Sequence, residues 1–461
     1  MDNNTLWSLR LGFSGKQAGL IEKEGIQKFV KNSFAAPITP FPVNIMEGEV
    51  RTEEELKIYK DKMKLQPDGA EKIRIHTRTK FMEMKSWWID HMISDEYPLR
   101  EKMTVFWHNH YVAAARKVEL NSWILSHNTI LREYAFGNFR ELTKKMLYTN
   151  AIIRYLDNKN NKNNKLNENL SRELLELFTI GVGHYSENDV KNGAKALAGL
   201  KIGTNGGVYD VKQEFTESFT YFNKTGKFKA NDIVDIIFEQ NAAPYFITRK
   251  ILKWFIYDNP PEALVTYYGD YLRKVDYEME PFLLKVFTEE FSKPTAGSKI
   301  KDPLVFTLHL MDELNITNQN NKVTAVFIGN QGMDLYNQIN VKGWDGGRAW
   351  LSTQLLLQRN NLANVFCKGL NLSRDTIYNF EVTNEVFPKK FDIHIDWVKK
   401  GTNKEIIQQL KNRLLYSADD SLQEDFEEII THDFDPNGEH ADKGILRLFN
   451  YMANSPEFQI I

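Results

Sequence analysis

Cysteine is almost absent: Cys367 is the only one among 461 residues. A lone thiol excludes an intrachain disulfide framework and any zinc site built on clustered cysteines. Long hydrophobic runs are missing too. Segments such as FTIGV and AVFIG fall far short of the roughly 20 apolar residues needed to cross a bilayer, so no membrane span is expected. Neither charge sign is in surplus, with 59 Lys and Arg against 61 Asp and Glu and a net charge of −2. That balance gives no electrostatic reason to expect nucleic acid or an anionic membrane as the main partner. The opening residues, MDNNTLWSLRLGFSGKQ, show no basic segment followed by an apolar stretch. No secretory signal is therefore expected, and the cytoplasm is the expected location.

What is present is a globular mixture, 42% hydrophobic and 26% charged, which separates the chain from disordered and fibrous sequences. Apolar residues recur at helical spacing through most of it. Thr52-Glu53-Glu54-Glu55 opens a helix as a capping box, and the segment from about 70 to 93 continues the pattern. Pro98 suits the first turn of a helix through MTVFWHNHYVAAA. Further helices are expected at 119–136, 138–149, 169–180, 187–199 (capped by Ser186 with Asp189), 230–240, 243–257, 261–274, 279–291 and 303–314. Others are expected at 322–339, 348–361, 404–415, 420–430 and 442–453.

Strand character is confined to 201–228, where Asn205-Gly206-Gly207 is suited to closing a hairpin. The apolar-free run from Asp157 to Lys165 reads as a mobile surface loop. The fold class expected is mainly α, a large multi-helix protein with a small β-hairpin insertion around 201–228. A single unit over 1–461 is expected, with possible lobes 1–294 and 299–461 meeting at the small polar stretch Thr295-Ala296-Gly297-Ser298.

Four segments carry groups capable of chemistry. In Trp107-His108-Asn109-His110, the two histidines lie about 200° apart on a helix and cannot both bind one metal. One could face a pocket while the other packs or caps; a hydrogen-bonded core histidine is the plainer alternative for either. In NENLSRELLELF, a helix opening at Asn169 puts Asn169, Arg172, Glu173 and Glu176 on one face, with Asn167 just ahead. A solvated stripe with a weak Arg172–Glu176 pair is the alternative there. The glycines of Gly181-Val182-Gly183-His184-Tyr185 turn the chain so that His184 and Tyr185 can fold back beside that face, with Asp189 following. Such a cluster serves acid/base catalysis or a divalent metal, although its spacing matches no strong metal signature.

The third segment is Gly343-Trp344-Asp345-Gly346-Gly347-Arg348. Open backbone N–H groups and the Arg348 fork could hold a carboxylate, phosphate or sugar hydroxyl, with Trp344 as a stacking wall. A tight structural turn with Arg348 paired internally is equally consistent. The fourth, Asp433-Phe434-Asp435-Pro436-Asn437-Gly438, opens like a calcium loop. Its twelfth position is Gly444 where a glutamate is needed, so a structured acidic turn is the better reading.

Taken in order, LRLGFS, REKMTVFWHNHYV, GNFRELTKKML, NENLSRELLELFTIGVGHYSENDVKNGAKALAG, DIVDIIFEQNAAPYFITRKILKWFIYDNPP, NVKGWDGGRAW and LFNYMANSPEFQ resemble a large bacterial family, domain of unknown function 1800. The resemblance spans nearly the whole chain. It implies a mainly helical protein with signature positions at 107–110, 167–176, 184–189 and 344–350, and no established activity. Two departures stand out: family members often carry a histidine where this chain reads Leu6-Trp7-Ser8-Leu9, and a His-Asp pair in the stretch that here runs from Ser218 to Gly226.

Two functions are consistent with these residues. One is a hydrolase-like enzyme for a glycan or peptide-like substrate. Its catalytic groups would come from His108, His110, Glu173, Glu176, His184 and Asp189, and its binding groups from Asn109, Asn167, Asn169, Arg172, Tyr185, Trp344 and Arg348. The other is a non-enzymatic binding or scaffold protein in which the same cluster is a structural network.

Overall fold

Short-range capping chemistry sets where many of the helices begin. The Asp2 carboxylate accepts the Thr5 N–H at 2.9 Å and starts Asn3–Leu11. Thr52 accepts the Glu55 N–H at 3.1 Å ahead of Glu53–Lys64. Ser186 and Asp189 form a reciprocal capping box before Glu187–Leu197. Asp302 caps Pro303–Glu313, whose first residue is a proline. Each such cap is worth about 1 kcal/mol because it satisfies N–H groups that the helix itself leaves open.

The computed structural model describes residues 1–368, 391–417, 419–431 and 434–461. Twenty-two α-helices run through them, together with two antiparallel two-stranded sheets. The protein is mainly α with a small β insertion. No helix among the described residues is long and apolar enough to cross a membrane. One apolar cluster extends from Leu6 to Ile461, and Arg10 of the first helix bonds Thr295 and Ser298 in the small polar stretch.

Several elements differ from the sequence expectation for local reasons. The helix expected over 322–339 stops at Asn330, because Gly332 takes φ +91° and ends it in the left-handed region. Gly346 and Gly347 likewise delay the following helix, so a 3₁₀ turn at Gly347–Leu351 precedes Thr353–Lys368. The expected hairpin pairs Leu200–Lys201 with Val208–Tyr209. A second hairpin, Phe219–Tyr221 with Lys224–Gly226, turns on Phe222 and Asn223, both at positive φ. That turn lacks the usual Asn-Gly signal. Three N-terminal helices, Asn3–Leu11, Ala18–Glu24 and Ile26–Ala35, carried no assignment from periodicity.

The run from Asp157 to Lys165 is not a free loop. Asn158 and Asn161 are buried, and Asn158 donates to the Leu197 and Leu200 carbonyls while Asn161 donates to Ala194. Asparagine amides replace the apolar anchors that the run lacks.

Leu99–His110 is the central helix. Asn109 is its only residue that is not buried. Charged residues go into the core with it. Glu101 accepts from Arg132 at 2.8 and 3.0 Å and from the Trp88 indole at 2.6 Å, and Lys102 pairs with Asp302 at 3.1 Å. Burial pushes the Glu101 carboxyl up, but Arg132 and His91 outweigh it and hold it down to about 2.

Candidate functional site

The central helix distributes its signature residues to three environments. His108 is fully buried among the rings of Trp88, Tyr336 and Trp344, and its Nε2 accepts the Tyr336 N–H at 3.0 Å. Burial, with the charges of His127 and Arg132, lowers it to about 3. His110 is also buried, within contact of Phe106, Phe139 and Phe178, and meets the Phe178 carbonyl at 3.0 Å. Burial and the nearby Lys250 charge push it well below its ordinary value. Asn109, between them, reaches the glycine-rich loop. Its Oδ1 accepts the Trp344 N–H at 2.6 Å. Gly343 sits at φ +83°, and a Cβ there would come within 2.2 Å of the Asn109 side-chain oxygen, so this close approach requires glycine.

The second segment begins as Asn169–Glu173 and widens into a π-helical turn at Leu174–Thr179. Ile180 N–H returns to the Leu175 carbonyl at 3.1 Å, five residues back. Turns of this kind recur at functional sites. Two of its terminal carbonyls are taken by side chains from other helices: Phe178 by His110, and Leu177 by the Lys250 ammonium at 3.2 Å.

On the outer face of this helix the residues divide. Arg172, about one-third exposed, makes a two-pronged pair with Glu187 at 2.8 Å and a longer contact to Glu168. Asn167 builds a turn, donating to Asp157 and accepting from the Asn169 N–H, and Asn169 itself is exposed. Tyr185 folds back as expected and donates to Glu176 at 3.0 Å. His184 points to solvent, and Asp189 is occupied as the cap of the next helix. Glu173 is different. It is half-buried and makes no hydrogen bond or ion pair among the described residues. Burial and then the Glu176 charge raise its carboxyl above the usual range, against Arg172 and Lys342.

Beside Asn109 the glycine-rich loop closes a pocket of about 230 Å³. Trp344, Gly346, Gly347 and Trp350 supply one wall, and Lys250, Lys253 and Trp254 of Ala242–Phe255 supply another. Asp258, Lys299 and Asp302 close it, while Phe106 of the central helix lines it with Asn109. Arg348 is exposed and does not line it. The indole N–H groups of Trp254 and Trp344 are both buried without an acceptor. Lys250 is half-buried, and burial with the neighbouring Lys253 charge lowers it to about 7. Lys299 is buried and lowered to about 8, since desolvation outweighs Asp258, 3.8 Å away.

A wider cleft of about 680 Å³ lies between Glu53–Lys64, Gly69–Ser94 and Asn321–Asn330. Within it Lys60 pairs with Glu119 and Lys85 with Asp334, and His76 meets Glu49 at 2.6 Å. The smaller pocket is the stronger candidate because three tryptophans meet there with two lysines whose amines burial has lowered.

The structure thus brings Asn109 and Trp344 together. It leaves Arg172, Asn167, His184 and Asp189 on the outer face of the Asn169–Glu173 helix and its following turns. Lys342 relates the two regions: it lines the pocket, and its charge acts on Glu173. Lys250, Trp254 and Lys299 were not singled out from sequence. A signal existed, because Lys250 follows Ile247 by three and precedes Trp254 by four, which places a lysine on the apolar face of its helix. Among the described residues no group of three or more His, Cys, Asp or Glu side chains is placed to hold a metal ion. Asp433, the first position of the acidic turn, lies outside the described residues.

Residues 5–460 match the family described as Protein of unknown function (DUF1800). Searches of the curated proteins and of the solved structures return no match.

Proposed function

This chain belongs to that family of unknown function, and on that footing we propose that it binds a small acidic sugar or a similar anionic, ring-bearing ligand in the pocket closed by the glycine-rich loop. The observation that carries this reading is the meeting, in one pocket, of the Trp254, Trp344 and Trp350 side chains with several lysines. The indole and phenyl faces suit the apolar face of a sugar ring, and the exposed Lys253 and Lys342 ammonium groups suit a carboxylate. Titration with glucuronate, followed by tryptophan fluorescence and calorimetry, tests the reading. Saturable quenching that is stronger for glucuronate than for glucose is expected. Absence of any heat or quenching up to millimolar glucuronate would overturn it.

Hydrolase-like chemistry is a second reading, and Glu173 favours it. A half-buried carboxyl without a partner and with a raised pKa is suited to donate a proton to a leaving group. Glu173→Gln should abolish turnover of a glycan or peptide-like substrate while leaving the protein folded. Retained turnover would sink the assignment.

A further inference from the structure

We infer that the Lys250 amine is a nucleophile that forms an imine with a small carbonyl-bearing acid held in the same pocket, an inference that rests on the ligand reading above.

The first support is the partner count around Lys250. Its Nζ makes one hydrogen bond, 3.2 Å to the Leu177 carbonyl, and no carboxylate lies within ion-pair reach among the described residues. Of the other lysines that line the pocket, Lys299 has Asp258 at 3.8 Å, while Lys253 and Lys342 are exposed to water. An ion pair stabilises the protonated, non-nucleophilic form of an amine, and Lys250 lacks one.

The second support is the setting. Phe106 and Trp254 line the pocket with Lys250, and outside it the Nζ lies 5.2 Å from the centre of the Phe246 ring. Burial disfavours the ammonium form and the like charge of Lys253 acts in the same direction; together they outweigh the attraction of the Phe246 ring face, so the amine is held down to about 7. A substantial share of it is therefore free base at neutral pH.

The third support is the choice of acid. The exposed ammonium groups of Lys253 and Lys342 can take a carboxylate at the pocket. The reducing end of a uronic acid opens to an aldehyde that carries a carboxylate, so it belongs to the class that this pocket fits.

The reaction balances without a further reagent. The Lys250 lone pair attacks the carbonyl carbon, and the nitrogen of the resulting carbinolamine loses a proton. The carbinolamine oxygen is protonated and leaves as water. One C=O bond is replaced by one C=N bond, and the nitrogen's two lost hydrogens depart with that oxygen.

The test uses the full chain, glyoxylate and cyanoborohydride at pH 7, which reduces any imine to a stable secondary amine. Peptide mapping then reads the modified lysines. An ordinary lysine is free base about once in 2,500 molecules at pH 7, so Lys250 should be labelled at least ~10-fold faster than any other lysine. Excess glucuronate should slow that labelling by competition. Labelling spread evenly over surface lysines, or absent from Lys250, overturns the inference. Glucuronate quenching without label at Lys250 leaves the ligand reading standing and removes only the imine. Loss of both quenching and label removes the two together.

Discussion

His108 and His110 stand two residues apart on one helix and hold opposite tautomers. Nε2 of His108 accepts the Tyr336 N–H, so its proton is on Nδ1. Nε2 of His110 meets the Phe178 carbonyl and must carry the proton itself. In both rings Nδ1 is buried without a partner. Each histidine is locked neutral, and each ties the central helix to a different neighbour.

Acid should therefore unfold this protein through its core histidines. His108 is held near 3 and His127 and His309 near 4, chiefly by burial, and His110 well below its ordinary value. The native state binds fewer protons than the unfolded chain below pH ~6.5. Stability is complete above that pH and falls toward pH 4 by roughly 1.4 kcal/mol per pH unit for each histidine. Urea unfolding at pH 7 and pH 5 should differ by several kcal/mol. Equal stabilities would show that these rings accept protons while folded.

Two arginines should behave in opposite ways. Arg172→Ala removes a partly exposed pair with Glu187 and should cost under about 1 kcal/mol. Arg132→Ala strands the fully buried Glu101 and should cost about 3–5 kcal/mol. Chemical denaturation of both variants checks the contrast, and similar losses would contradict the placement of the buried ionic network at Glu101.

Asn158→Ala should cost about 2–3 kcal/mol, because it leaves the Leu197 and Leu200 carbonyls without their amide donor in a buried site. Increased amide exchange at 157–165 should accompany the loss. A neutral substitution would restore the picture of a free loop.

Lys250→Met should stabilise the protein at pH 7 by about 1 kcal/mol or more, as expected where a site residue is kept at a cost to stability. The folded amine titrates near 7 rather than 10.5, so the native state holds fewer protons between those values. Wild-type stability should rise as pH climbs from 7 toward 10, and the variant should lose the part of that rise due to Lys250. Parallel stability–pH curves for the two proteins would contradict this environment for Lys250.

What could be read from the sequence was what neighbours along the chain decide. Thr52, Ser186 with Asp189, and Pro98 act within one helical turn, so these helix starts were legible. The end of Asn321–Asn330 was not, because helical periodicity continues past Gly332 while the backbone does not. The Asn109–Trp344 contact joins two visible motifs, but the 2.2 Å approach that makes Gly343 necessary exists only after folding. Glu101 and Arg132 are 31 positions apart, and a charged pair at that separation looks like surface until the helices pack. Lys250 was hidden for a similar reason. Whether a lysine on an apolar face reaches solvent or ends in a pocket depends on the loop at 343–347, nearly a hundred residues later.

The π-helical turn at Leu174–Thr179 has a consequence for chain length among relatives. Such a turn holds one residue more than a regular helical turn, so a single deletion inside it restores ordinary winding instead of rotating everything downstream. The helix before it and the turn at 181–186 after it would keep their facing. The carbonyls of Leu177 and Phe178 would swing away from Lys250 and His110. A relative one residue shorter at this point would keep the architecture and lose the amine's acceptor. Length variation at this point would then separate relatives that keep only the fold from relatives that keep the Lys250 contact.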